Sequence, residues 1–446
     1  MSQPTRTEVI AELLRTGQID AFIAAAHELE PADLADVLSE LDDAERLAAV
    51  SALPPELSGE ALVEMPEEEH AEETLAALHP ERAAEIVEEI ADDDAADLLG
   101  NLDEHTAERI LAQVEAPERA DVERLLRYDE YSAGGLMTTR LVTVADDATA
   151  AQAIDAIRRQ SEEDEGFIQV YVTDREGRLH GVVPLKGLVT SAPERAVREF
   201  MEDADIRVHP EEGQERVAEL MSRYNLLEVP VVDGNARLVG RVTFDDVIDV
   251  VEAEATEDLL KFGGVSADED IAAPWQEAVK SRLPWLYLNL ITAFMAASVV
   301  GVFQGTIARM TVLALWMPVI AGMGGNAGTQ ALAVTVRRLA LGLVPVGQRR
   351  RVVGKELLVG LINGLGNGLV VLTVAALFGM GLKFAAVVFL AMTGNLMVAG
   401  FAGAFVPLML EKFKVDPAIA SSIFVTTFTD MCGFFLLLGL ATKFLL

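Results

Sequence analysis

Five long apolar stretches in the C-terminal part of the chain limit its fold more than any other feature. Each has about 20 residues or more, the length of a helix that crosses a bilayer. In lipid the backbone must satisfy its own hydrogen bonds, so such stretches form helices. We therefore predict a transmembrane domain at residues 281–446 with five spans, at 283–303, 312–334, 357–377, 384–410 and 418–446.

The basic residues between these stretches predict the orientation of the domain. The loop "RRLALGLVPVGQRRRVVGKE" holds six Lys and Arg, and the loop "EKFKVD" holds two, whereas the first and third loops hold only Arg309 and Lys383. Since Lys and Arg concentrate in cytoplasmic loops, the N-terminus is predicted in the cytoplasm and the C-terminus outside. The first 18 residues contain no apolar signal segment, which agrees with this orientation. We expect a multi-pass protein of the cell inner membrane.

The charge of the chain is divided unevenly. The 446 residues carry a formal charge of −36, and the four acids and eleven basic residues from Leu283 onward give +7, which leaves −43 on residues 1–282. An acidic soluble part repels nucleic acids and attracts cations. This charge favours divalent cations as partners and argues against nucleic acid.

Asp430 is the one acid well inside a predicted span, and no Lys or Arg shares its depth. A charge at the centre of a bilayer costs roughly 2.5–3.5 kcal/mol even on forgiving scales, so an acid there indicates a functional site. A cation held by the carboxylate would offset that cost. The alternative is a carboxylic acid that burial keeps protonated.

The second span contains "PVIAGMGGNAGTQ", in which two adjacent glycines precede polar residues. We expect this run to weaken the helix and to free backbone carbonyls, which lipid tolerates only beside protein or a water-filled cavity. Carbonyl, amide and carboxylate oxygens suit Mg²⁺, Ca²⁺ or Mn²⁺. The sequence therefore predicts a cation site from Gly325, Asn326, Thr329 and Asp430. A structural amide that bridges two helices is the alternative for Asn326.

Three glycines of the third span are predicted to form a helix-packing face, namely Gly360, Gly364 and Gly366.

Residues 1–130 carry strong helical signals. Segments such as "PADLADVLSELDDAERLAAVSAL" share an L-x-x-L pattern, with Asp pairs and Pro at the turns. This pattern predicts an acidic all-α domain of short stacked helical hairpins, a small superhelix.

Residues 131–199 and 200–250 repeat one pattern. Each copy reads as a strand, an amphipathic helix, a second strand, a turn, a third strand and a helix, and "GRLHGVV" in the first copy matches "ARLVGRV" in the second. This α/β duplication resembles a tandem pair of CBS domains, which implies binding of an adenine nucleotide such as ATP. In the second copy Asp245 or Asp246 matches the acid that holds the ribose. The first copy has Gly187 at that position and lacks the acid.

Residues 251–280 are predicted to form a connecting helix and a linker to the membrane domain. Acids recur there at three- and four-residue spacings and stop before "KFGG", a signal for a helix C-terminus. Like charges at those spacings weaken a helix. A divalent cation between neighbouring carboxylates would relieve the repulsion, and a helix directly before the first span is well placed to act as a gate. A merely solvated acidic helix is the alternative.

The order of these parts resembles the MgtE family of magnesium channels over nearly the whole chain. The most specific segments are "PVIAGMGGNAGTQ", "VVEAEATEDLLKFG" and "TTFTDMCG". The resemblance implies a homodimer whose pore is lined by the second and fifth spans, with Asp430 of each protomer facing the axis and Asn326 shaping the filter. It also implies Mg²⁺ as both cargo and cytosolic regulator, the regulatory ions being bound by Asp93, Glu215, Asp246, Asp249, Glu254, Glu257, Asp258 and Asp416.

Two functions of other classes are alternatives to a channel. A secondary transporter would couple solute movement to protons or sodium, with Asp430 as the proton carrier. A membrane sensor would not transport and would use the two repeats to read nucleotide or Mg²⁺. An enzyme is not expected, because the sequence has no His/Cys metal cluster, nucleophile constellation or phosphate-binding loop.

Overall fold

A computed structural model describes residues 6–66, 69–160, 168–263, 265, 275–340, 343–415 and 417–446. The chain divides into two compact units, Met1–Glu254 and Ala255–Leu446. The first unit contains the acidic N-terminal helices and the two repeats, and the second contains the long apolar helices.

Ten short helices form the N-terminal part of the first unit among the described residues, as the L-x-x-L pattern predicts. They are α1 (Arg6–Arg15), α2 (Ile19–Ala26), α3 (Pro31–Ser39), α4 (Asp43–Ala52), α5 (Pro55–Val63), α6 (Ala71–Ala77), α7 (Pro80–Glu89), α8 (Asp92–Gly100), α9 (Glu104–Leu111) and α10 (Ala116–Leu125). Proline opens α3, α5 and α7, where its fixed φ suits the first turn. A capping box opens α4, in which Asp42 accepts a 2.9 Å hydrogen bond from the backbone N–H of Glu45.

The first repeat has the predicted order of strands and helices, and the second has it except for its first strand. The first contains β1 (Thr143–Ala145), α11 (Ala150–Gln160), β2 (Gln169–Thr173), β3 (Leu179–Pro184) and α12 (Leu185–Thr190). The second begins with the short β4 (Glu202–Asp203), which pairs with β3 of the first, and contains α13 (Gln214–Tyr224), β5 (Glu228–Val232), β6 (Leu238–Thr243) and α14 (Phe244–Gly263). One sheet has the order β1-β2-β3-β4, with only the β1–β2 pair parallel, and β5 pairs with β6 antiparallel. The predicted first strand of the second repeat is reduced to a single bridge between Val208 and Val231.

The matching segments of the two repeats lie against each other. The backbone N–H of Leu179 donates to the carbonyl of Ala236, and the N–H of Leu238 donates to the carbonyl of Gly177, both at 3.0 Å. Gly177 and Ala236 occupy the same left-handed turn position, with φ of 78° and 61°. The sequence duplication is therefore also a reciprocal contact.

The first unit has two main hydrophobic cores, and the larger one joins segments that are not consecutive in the sequence. One core joins the N-terminal helices to the second repeat and includes Phe22, Leu99 and Val217. The first repeat has its own core, which includes Val170 and Val183. The N-terminal helices and the second repeat therefore pack as one body.

Helix α14 is a single helix of 20 residues that begins directly after β6. The last helix of the second repeat and the predicted connecting helix are thus continuous. It ends at Gly263, where the "KFGG" signal predicts a C-terminus.

The second unit is helical. It contains α15 (Trp275–Val302), α16 (Gln304–Arg309), α17 (Leu313–Ala340), α18 (Arg349–Leu377), α19 (Leu382–Lys412) and α20 (Pro417–Phe444). Within the described ranges, four helical segments are long and apolar enough to cross a membrane, namely Ala278–Val302, Arg349–Leu377, Leu382–Lys412 and Ser422–Phe444. Helix α17 has the length, 28 residues, but its run of Gly, Asn, Thr and Gln makes it less apolar.

Helix α19 packs against α17, α18 and α20. Glycines allow its close approach to α18, because a Cβ added at Gly360 would overlap the carbonyl oxygen of Leu396, and one at Gly364 would lie 2.9 Å from Cα of Thr393. The packing prediction is wrong for Gly366, which faces open space.

Candidate cation sites

An acidic cavity of about 540 Å³ lies in the first unit, between the start of α8 and the start of α14. Asp93 and Asp94 reach it from α8, and Asp245 and Asp246 from the first turn of α14. Its polar lining also includes Thr138, Arg140, Glu228, Arg241 and Thr243. Two segments that are far apart in the sequence thus place four carboxyl groups around one cavity, each near a helix N-terminus, where negative charge is favoured.

Asp92 holds the N-terminal helices at this cavity. The side chain is buried and accepts hydrogen bonds from Thr138 Oγ1 at 2.5 Å, from the Thr139 backbone N–H at 3.0 Å, and from Thr139 Oγ1. Arg140 adds a 2.6 Å hydrogen bond from Nη2 to the carbonyl of Ile90. These contacts come from protein donors, so α8 is held in place without a metal ion.

Burial and mutual repulsion raise the pKa values of Asp93, Asp94 and Asp246 in the cavity. Burial, followed by the charge of Asp246, raises the pKa of Asp93 well above its ordinary value and that of Asp94 to about 7. Burial also raises the pKa of Asp246 to about 6, although a hydrogen bond from Thr243 Oγ1 at 2.5 Å lowers it in part. The cavity therefore concentrates negative charge at a cost, which a bound cation or a proton would reduce.

Four other predicted regulatory ligands, all within the described residues, do not line this cavity: Asp249, Glu254, Glu257 and Glu215. Asp249 is exposed on α14, and burial together with Glu252 raises its pKa. Glu254 accepts a 2.9 Å hydrogen bond from Gln214 Nε2, and Glu257 forms an ion pair with Lys261. Glu215 is exposed on α13. Asp258 belongs to α14, but its side chain lies outside the described residues. Asp416 also lies outside the described residues.

Within the described part of the chain, no three His, Cys, Asp or Glu side chains stand together in an arrangement that could hold a metal ion directly. Mg²⁺ loses its water reluctantly and usually keeps several water ligands.

Sequence reasoning selected Asp93 and Asp246 but did not select Asp94 as a ligand. The signal was present, since Asp94 belongs to the run 92–94. Its burial depends on α14, which only the three-dimensional fold brings near α8.

The glycine run of α17 does not weaken the helix, which continues without a break from Leu313 to Ala340. The prediction of freed carbonyls is therefore wrong. A Cβ at Gly328 would lie 2.6 Å from Val425 Cγ1 of α20, and one at Gly324 would overlap the amide nitrogen of Asn395 on α19. These glycines serve close packing of three helices.

The four residues of the predicted membrane site lie on two packed helices. Asn326 is exposed on α17, and Gly325 and Thr329 are partly buried there, while Asp430 is half-buried on α20. A Cβ at Gly325 would lie 3.9 Å from Thr426 Cγ2, one turn before Asp430. The site therefore offers one carboxylate and one exposed amide from neighbouring helices, and both are oxygen ligands.

Asn395 lies between those two helices and was not selected from the sequence. It is fully buried on α19, and its Nδ2 donates a 2.9 Å hydrogen bond to the carbonyl of Ile320 on α17. On the other side, a Cβ at Gly433 of α20 would lie 2.8 Å from Nδ2. An amide within a long apolar run is the sequence signal that could have identified it.

The end of α14 lies against the membrane helices of the second unit. Phe262 packs against Leu332 of α17, Ala402 of α19 and Val425 of α20. Beside it is a cavity of about 410 Å³, whose lining includes Gly263, Val265, Arg282, Trp285, Asn289 and Thr426. The last turn of α14 thus contacts the two helices that carry Asn326 and Asp430.

Three family models match consecutive parts of the chain. Residues 29–131 match the MgtE intracellular N domain, residues 133–193 and 197–253 match the CBS domain, and residues 317–440 match a divalent cation transporter model. The predicted CBS pair is thereby confirmed.

Curated relatives match over most of the chain. The magnesium transporter MgtE of Thermus thermophilus is 35% identical over 440 residues, 97% of each chain, and that of Bacillus subtilis is 32% identical over 433 residues, 97% of this chain and 96% of the relative. That of Enterococcus faecalis is 34% identical over 328 residues, 74% of this chain and 72% of the relative.

Two solved structures match the soluble part. The soluble part of a magnesium transporter is 29% identical, and the cytosolic domain of the Mg²⁺ channel MgtE in complex with ATP is 36% identical. They cover 56% and 54% of this chain and 98% of their own, each with a TM-score of 0.52. These relatives are transport proteins, in agreement with the expectation that the chain is not an enzyme. The chain therefore belongs to the MgtE family of magnesium transporters, and it is a membrane protein with a large soluble N-terminal part.

Proposed function

We propose that the chain is a Mg²⁺ channel that opens when cytosolic Mg²⁺ is low. The observation that carries this proposal is the course of α14. Its first turn supplies Asp245 and Asp246 to the acidic cavity, and its last turn packs through Phe262 on α17 and α20. A helix of 20 residues is about 30 Å long, and α14 has no internal proline that would kink it sharply. A shift at its acidic end is therefore transmitted to its other end.

Repulsion among carboxylates supplies the driving force for gating. At high Mg²⁺, ions in the cavity neutralise Asp93, Asp94 and Asp246 and hold α14 in place. At low Mg²⁺ these charges repel one another across a partly desolvated space, where charges interact more strongly than in water. The acids further along α14, namely Asp249, Glu254, Glu257 and Asp258, then add to the repulsion, and Glu215 and Asp416 complete the proposed set.

The proposed ion pathway runs beside Asp430 and Asn326. In a homodimer with these residues near the symmetry axis, two carboxylates face one hydrated cation, which offsets the cost of each charge in lipid. Since Mg²⁺ keeps its waters, the carboxylates hold it weakly enough for release. In this arrangement α17 also crosses the membrane, as the second of five spans, the soluble part lies in the cytoplasm and the C-terminus lies outside.

The acidic cavity favours a cation over a nucleotide. One related structure contains ATP. In this chain a triphosphate near the second repeat would meet Asp94, Asp245 and Asp246, and the first repeat has Gly187 where an acid would hold the ribose. We therefore place ATP second to Mg²⁺ as a regulator.

Flux measurements test the pathway. Proteoliposomes with an inside-negative potential should take up Mg²⁺ with the wild type, and Asp430→Asn, which keeps the shape but removes the charge, should abolish uptake. Cys432→Ser, two residues away on the same helix, is the matched control and should retain it. Equal uptake by wild type and Asp430→Asn would remove Asp430 from the pathway.

The same vesicles separate a channel from a coupled transporter. Flux through a channel follows the membrane potential and the Mg²⁺ gradient. If an uncoupler that collapses only the proton gradient stops uptake, the secondary-transporter alternative with Asp430 as carrier is correct.

A gating measurement tests the sensor. The Mg²⁺ concentration that halves channel activity should rise in Asp93→Asn and Asp246→Asn but not in Asp97→Asn, an exposed acid on the same helix as Asp93. Equal responses in all three variants would show that the acidic cavity does not sense Mg²⁺.

A further inference from the structure

We infer that Asn395 is a positioning residue for divalent-cation selectivity, because its buried amide sets the spacing between the turns of α17 and α20 that carry Asn326 and Asp430. The inference rests on the proposed ion pathway. Asn395 itself lies on α19 and is fully buried, so it acts through the two neighbouring helices and does not touch the ion.

The geometry makes this side chain a spacer. On α17, a Cβ at Gly324 would overlap Asn395 Nδ2, and on α20, a Cβ at Gly433 would lie 2.8 Å from Nδ2 and 3.2 Å from Oδ1. Real Cβ atoms do not approach so closely, so both helices need glycine to reach the amide. The two backbones therefore rest directly on one planar group.

The two contacts lie within one turn of the proposed ligands. Gly324 is two residues before Asn326, and Gly433 is three residues after Asp430. Since a helix is rigid over one turn, a change in the thickness of the group between the contacts changes the gap between the Asn326 amide and the Asp430 carboxylate.

A hydrogen bond fixes the amide in one orientation. Its Nδ2 donates to the carbonyl of Ile320 at 2.9 Å, one turn before Gly324. Among the described residues Oδ1 accepts no hydrogen bond, so burying this amide has a cost that a leucine of the same shape would avoid. What the amide provides, and a leucine would not, is the hydrogen bond from Asn395 Nδ2 to the Ile320 carbonyl of α17.

Selectivity depends on such a spacing. Ca²⁺ is larger than Mg²⁺, sheds water more readily and accepts flexible ligand sets, whereas Mg²⁺ requires near-ideal octahedral geometry. A loosened gap between α17 and α20 therefore admits Ca²⁺ relatively better than a fixed one. Asn395 is thus expected to affect the ratio of Mg²⁺ to Ca²⁺ permeability.

The test is the Mg²⁺ to Ca²⁺ permeability ratio in proteoliposomes of the full chain. Asn395→Leu should lower the ratio about fivefold, which corresponds to the loss of one net hydrogen bond of about 1 kcal/mol. Asn395→Ala, which fits against the two glycines without overlap, should lower it in the same direction. The matched control is Asn367→Leu on α18. Among the described residues, Asn367 Nδ2 donates at 2.9 Å to the carbonyl of Asn363 on its own helix and to no other helix. The ratio of this variant should equal that of the wild type.

A permeability ratio does not depend on how many channels fold. A lower total flux with an unchanged ratio in Asn395→Ala would show a purely structural role and overturn the inference. An equal change of the permeability ratio in Asn367→Leu would overturn the inference as well, because the ratio would then depend on any intramembrane amide and not on the position of Asn395. Absence of divalent flux in the wild type would instead contradict the proposed function, so the two failures are distinguishable.

Discussion

Replacing Asp94 by Asn should stabilise the first unit, and the gain should grow with pH. Burial and the charge of Asp246 raise the pKa of Asp94 from an ordinary 3.8 to about 7. The folded state therefore binds this proton more tightly than the unfolded chain does. Below about pH 4 the group is protonated in both states and contributes no penalty.

The magnitude follows from the displacement of the pKa. A change from 3.8 to about 7 corresponds to about 4 kcal/mol of destabilisation once the pH exceeds 7. Burial is the largest cause, the charges of Asp246 and Asp245 add to it, and the amide of the new Asn must still be buried, so we expect the substitution to recover about half of this cost, or about 2 kcal/mol at pH 8. For a unit of this size, that gain corresponds to a rise in Tm of about 4–8 °C.

The assay is thermal unfolding of residues 1–263, followed by circular dichroism in EDTA at pH 4, 6 and 8. Soluble parts of relatives crystallise on their own, which supports the use of this segment. Wild type and Asp94→Asn should have nearly equal Tm values at pH 4, and the difference should widen to its full size at pH 8. Millimolar Mg²⁺ at pH 8 should narrow it again, because the ion neutralises the same charges.

Glu108→Gln on the neighbouring helix α9 is the control. Glu108 is exposed, and surface substitutions of this kind usually change stability by less than about 0.5 kcal/mol. A Tm difference between wild type and Asp94→Asn that is the same at all three pH values would refute the electrostatic reasoning. A loss of stability in Asp94→Asn at pH 8 would do so too.

Three further substitutions have expected outcomes. Gly360→Ala should destabilise the detergent-solubilised protein in chemical unfolding, because the new Cβ overlaps the Leu396 carbonyl. Gly366 faces open space, so Gly366→Ala should increase the free energy of unfolding by up to about 1 kcal/mol through helix propensity. Equal effects of the two substitutions would contradict the packing. Asp92→Ala should destabilise residues 1–263 by about 2–4 kcal/mol, because it leaves the buried donors of residues 138 and 139 unsatisfied, and an unchanged urea midpoint would show that this contact is dispensable. Arg241→Met should cost about 3–5 kcal/mol, since its guanidinium lies 3.0 Å from the buried Glu228 carboxylate, and the loss should shrink at low pH as that carboxylate is protonated.

The architecture was largely predictable because its signals are local. Alternating patterns and turn residues gave the strands and helices of both repeats, and long apolar runs gave the membrane helices. Asp430 could be selected as a candidate for the same reason, since a lone acid in an apolar run stands out in the sequence whatever surrounds it. The boundary drawn between the second repeat and the connecting helix at residue 250 had no local signal, and α14 runs through it without a break.

The rest depended on neighbours that are distant in the sequence. Adjacent glycines predict either a weakened helix or a close helix contact, and the choice between the two at Gly324 is made by Asn395 on another helix. In the same way, the sequence marks Asp94 only as one acid in a run. Its burial, and hence its raised pKa, comes from α14.

The shared core of the N-terminal helices and the second repeat has a consequence for evolution and engineering. A domain that consists of one continuous segment of the chain can be exchanged as a block between related proteins. Here residues 1–130 cannot be exchanged alone, because their apolar contacts continue through residues such as Val217 and Val242 of the second repeat. The first repeat, whose main core is separate, lies between these two halves in the sequence, but Tyr171 and Leu179 share a smaller core with Val232 of the second repeat. A functional chimera would therefore have to transplant both halves together and preserve this smaller core at the border with the first repeat.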